Sequence, residues 1–205
     1  MTNHIPRELL PIPVHRRVGP TAYDSRDPDA RFEPIKPLRP PQGAPNILLV
    51  LLDDAGFGSN SAFGGPCHTP TFERLSENGL RYTRFHTTAL CSPTRQALLT
   101  GRNHHSVGMG VVSDMATAAP GYSSQRPESA ATIAEMLRMN GYSTAQFGKC
   151  HEVPTWEWSP MGPFDRWPTG SGFEYFYGFI GGETSQFYPS LIEGTNPVIP
   201  DRTPE

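Results

Sequence analysis

The sequence predicts an α/β fold in which helices cover both faces of a mixed, mainly parallel sheet. Predicted strands and helices alternate along the chain from residue 46 to residue 147, which is the order typical of such folds. The chain has 205 residues, of which 36% are hydrophobic and 10% aromatic, and this is enough for one substantial core. We therefore expect a globular domain rather than a disordered chain.

Residues 1–45 differ in composition from the rest of the chain. They hold ten of the 23 prolines and show neither helical nor alternating apolar spacing. We expect a proline-rich extended arm over residues 1–45, followed by the domain over residues 46–205. The arm is interpreted as a flexible leader or as a strap on the domain surface.

The charge, the hydropathy and the cysteines narrow the class of protein. A net charge of −3 and a pI near 6.2, with no basic run, argue against a nucleic-acid partner. The sequence has no apolar run of eighteen residues and no signal-peptide stretch near Met1, so we expect no membrane span and no export. Cys67, Cys91 and Cys150 lack the spacing of a disulfide framework, which favours a cytoplasmic location.

The first predicted element is a central strand over residues 46–52. This apolar run is bounded by Pro45 and by the adjacent carboxylates Asp53 and Asp54. Ligand sites in open α/β sheets lie beyond the carboxyl ends of strands, and carboxylate oxygens suit Ca²⁺ or Mg²⁺. Asp53 and Asp54 are therefore candidate cation ligands, although capping or solvent-facing pairs of this kind are commoner.

Cap residues, apolar spacing and turn signals predict the remaining elements. They are a helix after Thr69 that ends at Asn78, a strand over 80–86, helices over 93–100 and 129–139, and a strand over 142–147. The segment 102–127 predicts an irregular loop, in which His104 and His105 either line the pocket or are solvated. The aromatic residues after residue 152 predict either loop packing or a stacking cleft.

Two short segments supply candidate catalytic groups. Cys91 precedes the helix that we expect to begin with Ser92 as its cap, and Arg95 lies four residues later on the same face. A helix N-terminus and a guanidinium together suit an oxyanion such as sulfate or phosphate. Lys149 and His151 follow the strand over 142–147 and project to the same side, where they can neutralise the same anion.

The segment around Cys91 resembles the active-site signature of the type I sulfatases, which depend on formylglycine. The signature residues are Cys91-Ser92-Pro93-Thr94-Arg95 and Leu98-Leu99-Thr100-Gly101. The segment 148–151 resembles the second motif of that family, with Cys150 in place of the usual aromatic residue. The resemblance implies an alkaline phosphatase-like sandwich. Because such domains are considerably longer, it also implies that residues 46–205 are the truncated N-terminal part of a large bacterial arylsulfatase.

The resemblance further implies the site and its chemistry. Cys91 would be converted by a formylglycine-generating enzyme to formylglycine (3-oxoalanine), whose hydrate attacks the sulfur of a small-molecule sulfate ester. Residue 91 would bind Ca²⁺, or alternatively Mg²⁺, together with Asp53 and Asp54, and Arg95 would orient it. Lys149 and His151 would hold the sulfonate oxygens, and His151 could protonate the leaving alcohol.

Other interpretations stay open at this point. The family also uses a later Asp-Asn metal pair and further basic residues, which nothing after His151 supplies, so we expect little or no turnover from the 205-residue chain alone. A phosphonate monoester or phosphodiester hydrolase of the same superfamily shares the signature. A site for a tetrahedral oxyanion can hold a group centred on either sulfur or phosphorus. A non-catalytic truncated remnant is the third interpretation.

Overall fold

The computed structural model describes residues 22–30 and 36–200. The chain divides into two compact units, residues 1–37 and residues 38–205. The described part of the first unit contains turns and bends, with Arg26 bonded to Asp24 at 2.9 Å. Most of the predicted arm over residues 1–45 lies outside the described residues.

The described residues of the second unit, 38–200, contain three α-helices, four strands and several short 3₁₀ turns. The helices are α1 (Pro70–Asn78), α2 (Cys91–Thr100) and α3 (Ile133–Met139), and the strands are β1 (Ala145–Lys149), β2 (Tyr175–Phe179), β3 (Leu191–Glu193) and β4 (Asn196–Val198). The strands form one mixed sheet in the order β1-β2-β3-β4, in which β1 and β2 are parallel and the other pairs antiparallel. In the described residues, no helix is long and apolar enough to cross a bilayer.

Local sequence explains one end of each of the three helices. Pro70 occupies the first turn of α1, where the missing N–H costs nothing. Helix α2 ends at Gly101, whose φ of 64° is a left-handed conformation that glycine adopts without strain. Helix α3 begins at a capping box, in which Thr132 and Glu135 bond each other's backbone N–H. That box places the start of α3 four residues after the predicted start at residue 129.

The predicted strands over 46–52 and 80–86 are wrong. Neither segment forms a strand, and their side chains are exposed, with 88% of Leu48 and 82% of Leu80 accessible. A strand that is apolar on both faces needs ladder neighbours and covering layers. In the described residues, β1 lies at the edge of the sheet and pairs with β2 alone, so no such neighbour is present for residues 46–52.

The other elements differ from prediction in position or were not predicted. Strand β1 begins three residues later than expected and includes Lys149. The segment 102–127 contains two 3₁₀ turns, His104–Val107 and Ser113–Met115. Strands β2 to β4 lie after residue 152, where the sequence predicted no strand but either loop packing or a stacking cleft.

A buried cluster lies beneath the junction of β1 and β2. Its members are Cys150, Val153, Trp167, Phe176 and Ile180. Trp167 is fully buried, and its Nε1–H donates to the carbonyl of Glu157 at 2.7 Å, so its polar atom is satisfied. The cluster therefore anchors the chain on both sides of His151, which follows Cys150 directly.

Candidate active site

Helix α2 begins at Cys91 itself, one residue before the expected cap. Leu90 is the capping residue and makes no side-chain cap bond. Ser92 is fully buried, and its Oγ accepts a hydrogen bond from the backbone N–H of Ser113 at 3.2 Å. Ser92 therefore lies inside the helix rather than at its cap, and Cys91 is partly exposed in the first turn.

His151 links Cys91 to an aspartate that the sequence did not single out. Its Nδ1 lies 3.0 Å from the Sγ of Cys91, and its Nε2 lies 2.9 Å from Oδ2 of Asp114. The imidazole is buried, with 4% of the residue exposed. Burial lowers the pKa of His151 and outweighs the hydrogen bond and charge of Asp114, which act in the opposite direction. The structure thus brings two of the four expected catalytic residues, Cys91 and His151, into direct contact.

The other two expected catalytic residues, Arg95 and Lys149, meet at Asp53. Lys149 Nζ lies 2.5 Å from Oδ2 of Asp53, and Arg95 Nη2 lies 3.8 Å from Oδ1. Arg95 Nη1 also donates to the carbonyl of Lys149 at 2.8 Å. Burial acts to raise the pKa of Asp53, but Lys149 and Arg95 together hold it below its ordinary value. Two cations face one carboxylate, which leaves an excess of positive charge at this place.

The three expected metal ligands are not gathered into one site. Asp54 is exposed and has a φ of 52°, and both oxygens of Asp53 face cationic side chains. Among the residues that the structure describes, no group of three or more His, Cys, Asp or Glu side chains is arranged to hold a metal ion. Two adjacent carboxylates are suitable donors for a hard cation, so the described residues offer part of a metal site.

Sequence reasoning missed Asp114 and Glu152. Asp114 lies in the long segment 102–127, and its only signal was a carboxylate in a loop near the α2 signature. Glu152 is buried directly after His151, and burial raises its pKa to about 8 despite the charges of Arg95 and Arg126. Glu152 thus carries a proton at neutral pH.

The substitution at position 150 falls in the core. The side chain of Cys150 is 1% exposed and belongs to the buried cluster, and burial raises the pKa of its thiol well above the ordinary value. Its neighbours Lys149 and His151 still reach Asp53 and Cys91. The departure from the usual aromatic residue therefore concerns packing.

Comparison with known proteins identifies a family for this chain. A family model described as Sulfatase matches residues 45–201. An arylsulfatase of Klebsiella aerogenes is 33% identical over 158 residues, which are 75% of this chain and 32% of that protein. Human arylsulfatase A is 38% identical over 138 residues, which are 65% of this chain and 25% of that protein. The chain spans about a third or less of the length of these relatives.

A solved structure shares the fold. The structure comes from Bacteroides thetaiotaomicron and was described with the metabolism of multiple glycosaminoglycans. It matches with a TM-score of 0.55 and 24% identity over 71% of this chain and 30% of that chain. This likeness shows the fold alone, and it confirms the predicted alkaline phosphatase-like α/β class. The expectation of a mainly parallel sheet is wrong for the described residues, because the four-stranded mixed sheet has one parallel and two antiparallel pairs.

Proposed function

Because the chain belongs to the sulfatase family, we propose that it forms the N-terminal part of a sulfuric ester hydrolase of the arylsulfatase type. The observation that carries this proposal is the contact of Cys91 with His151, 60 residues apart in sequence, in a site that also holds Arg95 and Lys149. On this proposal, residues 46–205 belong to the catalytic domain and residues 1–45 form an arm before it.

The substrate class follows from the charge of the site. A sulfate ester presents negative oxygens, and Arg95 and Lys149 supply more positive charge than Asp53 alone neutralises. Fixed cations that are already in place stabilise charge that develops on such oxygens without reorganisation. We assign Arg95 and Lys149 to holding the sulfonate group. The alcohol part of the substrate is left unassigned.

His151 has a different position from the one expected of a sulfate ligand. Both of its ring nitrogens already have partners, Cys91 on one side and Asp114 on the other. We therefore assign His151 the role of hydrogen-bonding the reactive group of residue 91, which it contacts. A role in holding sulfate or in protonating the leaving alcohol would require one of these contacts to break.

Two groups that the family implies complete the proposal. Conversion of Cys91 by a formylglycine-generating enzyme would supply a hydrated aldehyde hydroxyl as the nucleophile. A divalent cation, Ca²⁺ or alternatively Mg²⁺, would be held by Asp53 and Asp54 and would supply further positive charge. The partial exposure of Cys91 at the start of α2 leaves it open to modification. Cation binding at Asp53 would compete with Lys149 and Arg95 for the same oxygens.

The cysteines bear on where the protein works. Cys67, Cys91 and Cys150 are all free thiols in the structure. Free thiols are typical of a reducing compartment, so we propose the cytoplasm as its location.

The test compares an aryl sulfate with a phosphate diester, using protein purified from its native source. We expect the sulfate to be hydrolysed faster, and we expect Cys91→Ala to lower kcat about a thousandfold or more. The matched control is Cys67→Ala, which removes another, exposed thiol and should leave the rate unchanged. A faster rate on the phosphate diester would favour the phosphodiesterase alternative. Hydrolysis that survives Cys91→Ala would contradict the proposal.

A further inference from the structure

We infer that Asp114 is a positioning residue for His151, fixing which imidazole nitrogen carries the proton and turning the other toward residue 91. No motif pointed to Asp114, which lies 37 residues before His151 in the chain. The contact between Asp114 and His151 is given by the structure and does not depend on the proposed function. Its bearing on catalysis rests on the proposed function.

The two contacts of the His151 ring fix which of its nitrogens carries the proton. An ionised carboxylate can only accept hydrogen bonds, so Nε2 of His151, 2.9 Å from Asp114 Oδ2, must carry the proton that it shares. In a neutral imidazole the other nitrogen is then a lone-pair acceptor. That nitrogen, Nδ1, lies 3.0 Å from Cys91 Sγ. A thiol or hydroxyl at position 91 can therefore donate to it.

The segment that carries the Asp114 carboxylate is hydrogen-bonded to α2. The backbone N–H of Ser113 donates to Ser92 Oγ, and both serines are fully buried. Ser92 adjoins Cys91, and Ser113 adjoins Asp114. The contacts therefore close a ring from Cys91 through Ser92, Ser113 and Asp114 to His151 and back to Cys91. In such a ring, each member limits where the next can lie.

The imidazole is also confined by the backbone at Gly182. A Cβ added at Gly182 would lie 2.6 Å from Cε1 and 2.8 Å from Nε2 of His151, which is closer than real contacts allow. The backbone N–H of His151 donates to the carbonyl of Ile180 at 2.9 Å. The ring is therefore held between the backbone near Gly182 and the two side chains that it bonds. Rotation away from Asp114 has little room.

Without the Asp114 carboxylate, the proton on His151 should move to the other ring nitrogen. Asparagine is nearly isosteric with aspartate, but its amide can donate as well as accept. In Asp114→Asn the side chain can donate to an unprotonated Nε2, which places the proton on Nδ1 and turns two donors toward each other at residue 91. A purely structural role for Asp114 would survive this replacement, whereas a role in fixing the proton would not.

Nitrogen-15 NMR of the histidine side chains in the full chain reads the proton position directly, at a pH above the ordinary histidine pKa. The His151 signals are assigned by their loss in His151→Gln. We expect Nε2 protonated and Nδ1 unprotonated in the wild type, and a protonated Nδ1 to appear in Asp114→Asn and in Asp114→Ala. The control is Glu128→Gln, an exposed carboxylate that should leave the spectrum unchanged. A wild-type Nδ1–H, or retention of the wild-type tautomer in both Asp114 variants, would overturn the inference.

Kinetics of the protein from its native source supply the second readout. We expect Asp114→Asn to lower kcat on an aryl sulfate about a hundredfold with little change in KM, because the reacting group at position 91 loses its oriented acceptor. Unchanged kcat in Asp114→Asn would contradict the inference even if sulfate ester hydrolysis is found. If no hydrolysis is found while the tautomers behave as expected, the proposed function fails and the assignment of Asp114 stands.

Discussion

Replacing Glu152 by glutamine should change how the stability of the protein depends on pH. Burial raises the pKa of Glu152 from an ordinary 4.5 to about 8, against the opposing charges of Arg95 and Arg126. The folded protein therefore keeps this carboxyl protonated while the unfolded chain ionises it. The stability that the neutral carboxyl allows is lost as pH rises from about 4.5 through about 8, and the loss is complete above that range.

The size of the effect follows from the two pKa values. A rise from 4.5 to about 8 spans about 3.5 pH units, and each unit corresponds to about 1.36 kcal/mol. Ionisation of Glu152 thus costs the folded state about 5 kcal/mol at high pH, of which about 3 kcal/mol is already lost at pH 7. Glu152→Gln keeps the shape but cannot ionise. Relative to the wild type, the variant should gain about 5 kcal/mol between about pH 4 and about pH 9.

Urea unfolding followed by tryptophan fluorescence measures this difference, since Trp167 is fully buried in the folded protein. The lowered pKa values of Asp53 and His151 make the protein more stable as pH rises, but they act equally in wild type and variant and cancel in the difference. Glu128→Gln is the control, because an exposed carboxylate should give a difference that stays within about 0.5 kcal/mol. A Glu152→Gln difference that is flat across the same pH range would refute the reasoning.

Three further outcomes are expected. Gly182→Ala should push the His151 ring aside and lower the free energy of unfolding in urea by about 1–3 kcal/mol. Gly58→Ala, whose added methyl group meets open space, should leave it unchanged. Equal free energies of unfolding for the two variants would contradict the close packing at Gly182. Lys149→Met should weaken sulfate binding, measured by calorimetry, about tenfold or more. Lys36 is exposed, so Lys36→Met should leave the affinity for sulfate unchanged. Unchanged affinity in Lys149→Met would show that Lys149 does not belong to the anion site. The 205-residue chain alone, with residue 91 converted, should show little or no aryl sulfate hydrolysis with added Ca²⁺, and clear metal-dependent turnover would overturn this expectation.

Local signals were enough to predict that the three helices exist, and the family resemblance predicted that their motif residues share a site. Proline in the first turn and glycine after the last turn bounded α1, and Gly101 ended α2, because these residues act through their own backbone. The motif residues Cys91 and His151 were expected in one site from resemblance, and the structure places them 3.0 Å apart.

The segment 46–52, which was predicted as a strand, shows what local sequence signals cannot predict. An apolar run predicts burial, but burial also needs a neighbouring strand and a covering layer, which depend on the rest of the domain. Strand β2 shows the reverse case. Its residues alternate between exposed and buried, as Tyr175 and Phe176 do, but every position in the run except Gly178 is aromatic, so the alternation is invisible in the sequence.

Asp114 could not be predicted for a related reason. Its contact with His151 joins segments 37 residues apart, and it depends on the bond between Ser113 and Ser92 that places the turn over α2. Neither contact leaves a periodic pattern. The burial of Glu152 could not be predicted because it depends on the tertiary packing of a segment whose residues Cys150 and Val153 both belong to the core cluster.

The most direct test of the sulfatase assignment is the chemical state of residue 91 in protein isolated from its native source. Peptide mass spectrometry, with an aldehyde-specific hydrazide label, distinguishes a formylglycine from a thiol at this position. We expect the peptide that carries residue 91 to contain the aldehyde and to react with the label, while the peptides that carry Cys67 and Cys150 contain thiols. A thiol at position 91 throughout the native protein would contradict the hydrolase assignment and leave only the family relationship.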